Sequence, residues 1–350
     1  MRQISTLAVV IGLTVTSAAS AQVIQIDTPS DDRWHYPFNF TPGTRATGSC
    51  FGVAGTSNFN DRDGIVIAAW DTSTEIQPGL GPDAYPIESV TVTLTNQSGA
   101  EWAVDLTTDE WFTFDLNGDG AINADGIPRG QPGDTDGESD DADPGRPLEL
   151  FGAGFGPTYT AASWVETSLY EGSDGAGDLP RDPFPFVYQD GTLQPLHVED
   201  SVKGLHNAAA GVTSFTPTAW AIGVPQAYTP GSQSVPFDVA FEMDLGLSNG
   251  AVRRYFQEQL DAGRVVIVVT SLQGAQQQGP QSGFPSFFMK EGLILDPGAK
   301  AADLRIVSAQ PGEPVPVANQ AARFALIGAL LCTGAWAVRR CVVVRPVTVS

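Results

Sequence analysis

Polar and apolar residues alternate along Ser89-Val-Thr-Val-Thr-Leu-Thr95, which puts Val90, Val92 and Leu94 on one side and the threonines on the other. A period of two is that of a strand with one buried face. Segment 237–247 repeats it, with Phe237, Val239, Phe241, Met243 and Leu245 in phase. Gly64-Ile-Val-Ile-Ala-Ala-Trp70 and Arg264-Val-Val-Ile-Val-Val-Thr270 are unbroken apolar runs of strand length instead. Such runs suit central strands covered on both faces. Only 250–261 follows a helical spacing, through Val252, Tyr255, Phe256 and Leu260. Ser248 and Asn249 are placed to cap its start and Gly263 its end. Gly, Pro, Asn and Asp punctuate the segments between, and no repeat of 20–50 residues occurs, which excludes a solenoid or propeller. The pattern predicts an all-β chain, an antiparallel β-sandwich with one short helix.

The two ends follow other rules. Met1-Arg2, an apolar run over 7–15 and the small-residue stretch Ser17-Ala-Ala-Ser-Ala21 form an export signal over 1–21, cut after Ala21. The sandwich is expected over 22–308, with an acidic insert at 115–146 and a Pro-rich linker at 309–322. Within 323–344, the apolar run 324–338 ends at Arg339-Arg340. Fifteen residues at about 1.5 Å each fall short of a ~30 Å hydrocarbon core. Flanking Ala and Cys341-Val-Val-Val344 lengthen the run, and arginines at its end can snorkel. The expectation is a C-terminal transmembrane helix with the arginines on the cytoplasmic side.

Glu313-Pro314, the apolar run and Arg339-Arg340 together resemble the bacterial sorting tails of the PEP-CTERM type. The motif here reads Glu-Pro-Val-Pro, and ten residues follow the arginines. The resemblance implies a sorting protease as a partner. The chain is then exported to the cell surface or beyond, and anchored in the membrane through its C-terminal helix at least transiently.

Charge narrows the partners. The 350 residues carry 40 acidic and 18 basic groups; five arginines and one acid fall in 1–21 and 311–350, leaving 13 against 39 in the middle, a net of −26. Clustered Lys and Arg are needed to hold phosphates, so nucleic acid is excluded as a ligand, and anionic membrane surfaces repel such a segment. A 42% hydrophobic content is enough to build a core and argues against disorder. Cys50 is the only cysteine outside the tail, which holds Cys332 and Cys341, so no internal disulfide staples the exported part.

Asp31-Asp-Arg-Trp-His-Tyr36, Asp61-Arg-Asp-Gly-Ile-Val-Ile67 with Trp70-Asp71, Ile87-Glu-Ser-Val-Thr-Val-Thr-Leu94 and Gly263-Arg-Val-Val-Ile-Val-Val269 occur in this order. Over roughly 25–305 they resemble the DNRLRE type of exported jelly-roll domain, which is similar in shape to carbohydrate-binding modules. That resemblance implies a non-catalytic surface module, with polysaccharide or other envelope components as partners.

One loop carries metal chemistry. Asp115, Asn117 and Asp119 occupy positions 1, 3 and 5 of a D-x-[DN]-x-D-G pattern, Gly120 allows the sharp turn, and Ala121 offers its carbonyl. Ile122 is placed to pin the loop to the core. Asn123 and Asp125 complete the candidate ligands, although position 12 is Gly126 and the carboxylate comes one place early. Through Asn123 the loop looks like that of dockerin repeats. Asp134, Asp136, Asp140 and Asp143 form a second oxygen-rich group, similar to the Asp-rich calcium repeats of adhesive proteins. From 115 to 143, nine acids face only Arg129, a local net of −8. A divalent ion relieves that repulsion, and oxygen-only ligands favour Ca2+ over zinc or copper. A structural calcium is expected; a solvated acidic excursion is the alternative.

Weaker signals remain. Trp34, Tyr36, Phe38 and Phe40 alternate and are read as core rather than as a sugar-stacking face. Trp102 and Trp111 flank the acidic loop and are read as packing beneath it. His35, His197 and His206 lack metal-ligand spacing. Gly48-Ser-Cys50-Phe-Gly52 has the outline of a nucleophile elbow but lacks the strand and helix around it, so a turn with a buried cysteine is expected. Asp109-Glu110 and Glu199-Asp200 are adjacent pairs, which point to opposite faces of a strand. The sequence therefore favours a non-catalytic module, with a secreted glycoside hydrolase-like enzyme using paired carboxylates as the alternative.

Overall fold

The structure, a computed structural model, describes residues 21–37, 39–52, 62–97, 104–108, 146–170, 181–189, 192–198, 215, 217–226, 236–271, 273, 284–294 and 298–309. All lie in one compact unit, Ala21–Ala309. Its strands are β1 (Ala21–Ile26), β2 (Asp31–His35), β3 (Thr47–Ser49), β4 (Ile65–Asp71), β5 (Ile87–Asn96), β6 (Val104–Asp105), β7 (Arg146–Gly154), β8 (Phe184–Tyr188) and β9 (Pro195–His197). After these come β10 (Ala221–Ile222), β11 (Val224–Pro225), β12 (Phe237–Glu242), the helix α1 (Leu247–Ala262), β13 (Arg264–Ser271), β14 (Ser286–Phe288) and β15 (Asp303–Ala309).

Two sheets form. The first runs β1-β15-β5-β12-β11, with β14 against β5 and β3 against β14; the second runs β2-β4-β13-β7-β8-β9, with β6 and β10 beside β7. Among the described residues every strand pairing is antiparallel except the short β6–β7 pair. The fold is thus mostly β among the described residues, two antiparallel sheets with one helix. Val90, Val92 and Leu94 of β5, Phe241 of β12 and Ile306 of β15 share a single core with Val66 and Trp70 of β4 and Ile267 and Val269 of β13. The threonines of β5 at 91 and 93 lie outward and partly exposed, as the alternation requires.

The unbroken runs have their own explanation. In β4 and β13 alternate residues face a second layer, in which Ile65, Ile67, Ala69, Val266 and Val268 pack under Trp164, Phe155 and Tyr159 of the segment 155–170. That segment covers the outer face of the second sheet, so both faces of these strands are dry and both must be apolar.

The helix departs from its expected start. Ser248 (φ 49°), Asn249 (φ 58°) and Gly250 (φ 87°) all lie in the left-handed region. Neither Ser248 nor Asn249 caps the helix; the Ser248 hydroxyl instead donates to the Tyr188 carbonyl at 3.3 Å. The end is as expected, with Gly263 at φ 79° stopping the helix one residue before β13. Val252, Tyr255, Phe256 and Leu260 join the core between the sheets. β12 stops at Glu242, but Met243 and Leu245 keep the phase and are buried beyond it. The aromatic row fares differently: Trp34 and Tyr36 are half-buried and stack at 4.9 Å, while Phe40 is exposed rather than core. Phe38, Trp102 and Trp111 lie outside the described residues.

Candidate metal centre

The covering segment 155–170 is held to the sheet by buried charge. Asp182 accepts the amides of Gly156 (2.9 Å), Thr158 (3.2 Å) and Tyr159 (3.2 Å) and pins the start of the segment. Burial raises the Asp182 carboxyl above the usual range against the pull of those three amides. At the other end Arg33 donates to the Ser168 carbonyl, and Arg181 reaches Tyr170 with Nε (2.9 Å) and the Arg62 carbonyl with Nη1 (2.8 Å). Below lies a bidentate pair sealed from water: Arg62 Nε and Nη2 meet the two oxygens of Glu149 at 2.7 and 3.1 Å, and Thr270 donates to the same carboxylate. Neutral His35 stacks on Tyr170 at 4.4 Å, held well below its usual pKa first by burial and then by Arg33 and Arg181.

Three carboxylates converge where this segment meets β2 and the 3-10 turn Lys290–Ile294. One oxygen each from Asp32, Glu166 and Glu291 lies within 4.8 Å of the others. Asp32 is delivered by β2, whose register against β4 sets it opposite Ala68. Glu166 follows Trp164, the aromatic plug of the outer layer, and its amide donates to Asp31 Oδ1 at 3.3 Å. Glu291 is delivered by the turn after β14, which is pressed against the Ala46 carbonyl. The Met289 amide donates to that carbonyl at 2.9 Å, and a Cβ on Gly292 would meet it at 2.2 Å, so only glycine fits there.

The electrostatics are lopsided. Asp32 is buried, and its Oδ2 accepts the Lys290 amide at 2.8 Å. Its Oδ1 is also buried and accepts nothing. Burial, then Glu291 and Glu166, push the Asp32 carboxyl up to about 7, opposed by the Lys290 amide and ammonium. Burial likewise raises Glu291, which is near enough to hydrogen-bond Asp32 once either carries a proton. The Lys290 ammonium contacts Glu166 and donates to the Ser30 carbonyl at 2.7 Å. Three acids therefore share one ammonium.

These residues escaped the sequence. They are separated by more than a hundred positions each, so no spacing connects them; only the acidic start of β2 was visible. Conversely, Asp115, Asn117, Asp119, Ala121, Asn123, Asp125, Asp134, Asp136, Asp140 and Asp143 lie outside the described residues, as do Asp109-Glu110, Glu199-Asp200 and His206. What is described is the root of that insert: Val104 and Asp105 pair with Arg146 and Pro147, so the chain leaves and re-enters the second sheet side by side. Cys50 is buried just after β3, its thiol donating to the Val269 carbonyl at 3.4 Å, and burial raises its pKa beyond that of a reactive thiol. His197 is also buried and stacks on Phe184 at 3.9 Å. No helix among the described residues is long and apolar enough to cross a membrane, and 323–344 lie outside them. No protein-family model, curated protein or solved structure matches the chain.

Proposed function

We infer that this chain is an exported, surface-anchored β-sandwich of jelly-roll type without catalytic activity, a glycan-binding or envelope component whose 115–143 loop is ordered by structural calcium. The observation that carries the reading is that five buried ionisable groups of the described residues are spent on structure. Arg33, Arg181 and Asp182 fasten the covering segment to the second sheet, and Arg62 and Glu149 brace that sheet from within. The groove of about 290 Å³ at the start of α1 is lined by Thr192, Leu193, Ser248, Asn249, Gly250, Ala251 and Arg254, with no carboxylate for acid–base work. The anchoring part of the reading draws on the ends of the unit. β1 spans the expected cleavage point and pairs along its length with β15, Ala21 opposite Ala309, an arrangement that fits a leader before the one strand and a tether after the other.

Fractionation tests the anchor. The full chain should sediment with membranes and be reached by protease added outside intact cells, whereas a chain ending at Gln310 should be released. Recovery of the full chain in the cytosol overturns the reading. For the loop, Asp115→Asn with Asp119→Asn should abolish one calcium site measured by titration; an unchanged stoichiometry removes calcium from the 115–125 group.

A further inference from the structure

We propose that Asp32, Glu166 and Glu291 bind one divalent cation, best matched by calcium, at the junction of β2, the covering segment and the turn after β14. This site is separate from the 115–143 loop and stands whether or not that loop takes an ion.

Geometry comes first. Three oxygens within 4.8 Å of one another lie no more than about 2.8 Å from a common centre, so a shift of a few tenths of an ångström brings all of them to the roughly 2.3–2.6 Å of a calcium–oxygen bond. The second observation is the state of Asp32. The residue is 1% exposed, and its Oδ1 has no hydrogen-bond donor. A buried anionic oxygen is stable when it is protonated, hydrogen-bonded or bound to a metal. With Oδ2 occupied by the Lys290 amide, Oδ1 is the unsatisfied oxygen of a buried carboxylate that sits in a cluster with two others. Charge gives the third argument: three ionised acids against the single Lys290 ammonium leave a net of −2, which a divalent ion neutralises and a monovalent one does not.

The cluster lies near the surface, with Glu166 and Glu291 half-buried and Asp32 buried. The ammonium need not leave, since it is also held by the Ser30 carbonyl. All-oxygen ligands select a hard cation, and a site assembled from a strand, a loop and a turn suits the variable geometry of calcium better than the strict octahedron of magnesium. Its effect is mechanical. One ion would staple three segments distant in sequence, in a chain whose one described cysteine, Cys50, is unpaired.

Titration calorimetry on the full chain in detergent, after chelation, tests this with CaCl2 and MgCl2 as probes. A background carrying Asp115→Asn, Asp119→Asn, Asp134→Asn and Asp136→Asn removes both acidic groups of the loop from the measurement. One calcium should still bind there, and Glu291→Gln should weaken it by about tenfold or more and cancel the calcium-induced rise in Tm. Asp32→Asn should also lose the calcium response while raising the Tm of the chelated protein, because a buried charge is gone. Should Asp32→Asn fail to fold, half-buried Glu291→Gln still decides the matter. Calcium binding that ignores Glu291→Gln, or no calcium binding in this background, overturns the proposal; the latter leaves a proton shared by Asp32 and Glu291 as the occupant.

Discussion

His35 shows how a single residue here couples stability to pH. The ring is fully buried, stacked on Tyr170, and both its nitrogens lack partners, with Arg33 and Arg181 as its charged neighbours. Its folded pKa is depressed below the unfolded value of about 6.5, so the unfolded chain takes up a proton that the fold refuses. The stability is therefore complete above pH 6.5 and declines as the pH falls, by up to about 1.4 kcal/mol per unit. Thermal melts from pH 7.5 to 5 should show His35→Phe falling less steeply than wild type, the stack being retained; parallel slopes refute the assignment. The Arg62–Glu149 pair is more severe. Arg62→Met strands a buried carboxylate and should cost about 3–5 kcal/mol in urea unfolding, whereas adding Glu149→Leu should recover much of the loss. A double variant no better than the single one contradicts this.

At the scale of elements, Tyr255 fastens α1 to the sheets. Its hydroxyl donates to the Val266 carbonyl at 2.6 Å and accepts the Ala153 amide at 3.2 Å, linking the helix to β13 and β7 from inside the core. Its ring also meets Trp220 at 4.9 Å and Phe186 at 5.7 Å. Tyr255→Phe keeps the packing but leaves the Ala153 amide without its acceptor, and about 1–3 kcal/mol of stability should go with it. Chemical denaturation reads this directly, and a loss below a few tenths of a kcal/mol would mean that water replaces the hydroxyl. The same element shows where local pattern ends. The spacing of Val252, Tyr255, Phe256 and Leu260 foretold the helix and Gly263 its stop, because both are properties of neighbouring residues. Its left-handed start was not foretold, since Ser248 is turned toward the Tyr188 carbonyl sixty positions away.

For the molecule as a whole, the dominant fact is self-repulsion. With 39 acids against 13 basic groups in the middle of the chain, compaction crowds negative charge. Added NaCl shortens the Debye length from about 30 Å at 0.01 M to about 8 Å at 0.15 M, so the Tm of the chelated protein should rise over that range. Calcium should give a further increase at millimolar concentration, too little for screening alone to explain. A Tm indifferent to both would show that these charges are already paired within the fold.

Strand periodicity, the doubly apolar runs and the helical face were legible because each is set by which side chains must leave water, a choice made residue by residue. From the same reasoning came the antiparallel sandwich and the spans of β5, β12 and β13 along the chain. Tertiary structure alone decided that segment 155–170 should roof the second sheet, that Phe40 should remain exposed, and that Asp32, Glu166 and Glu291 should meet. Those outcomes depend on strand order and chain return, which bring together residues that no local spacing relates.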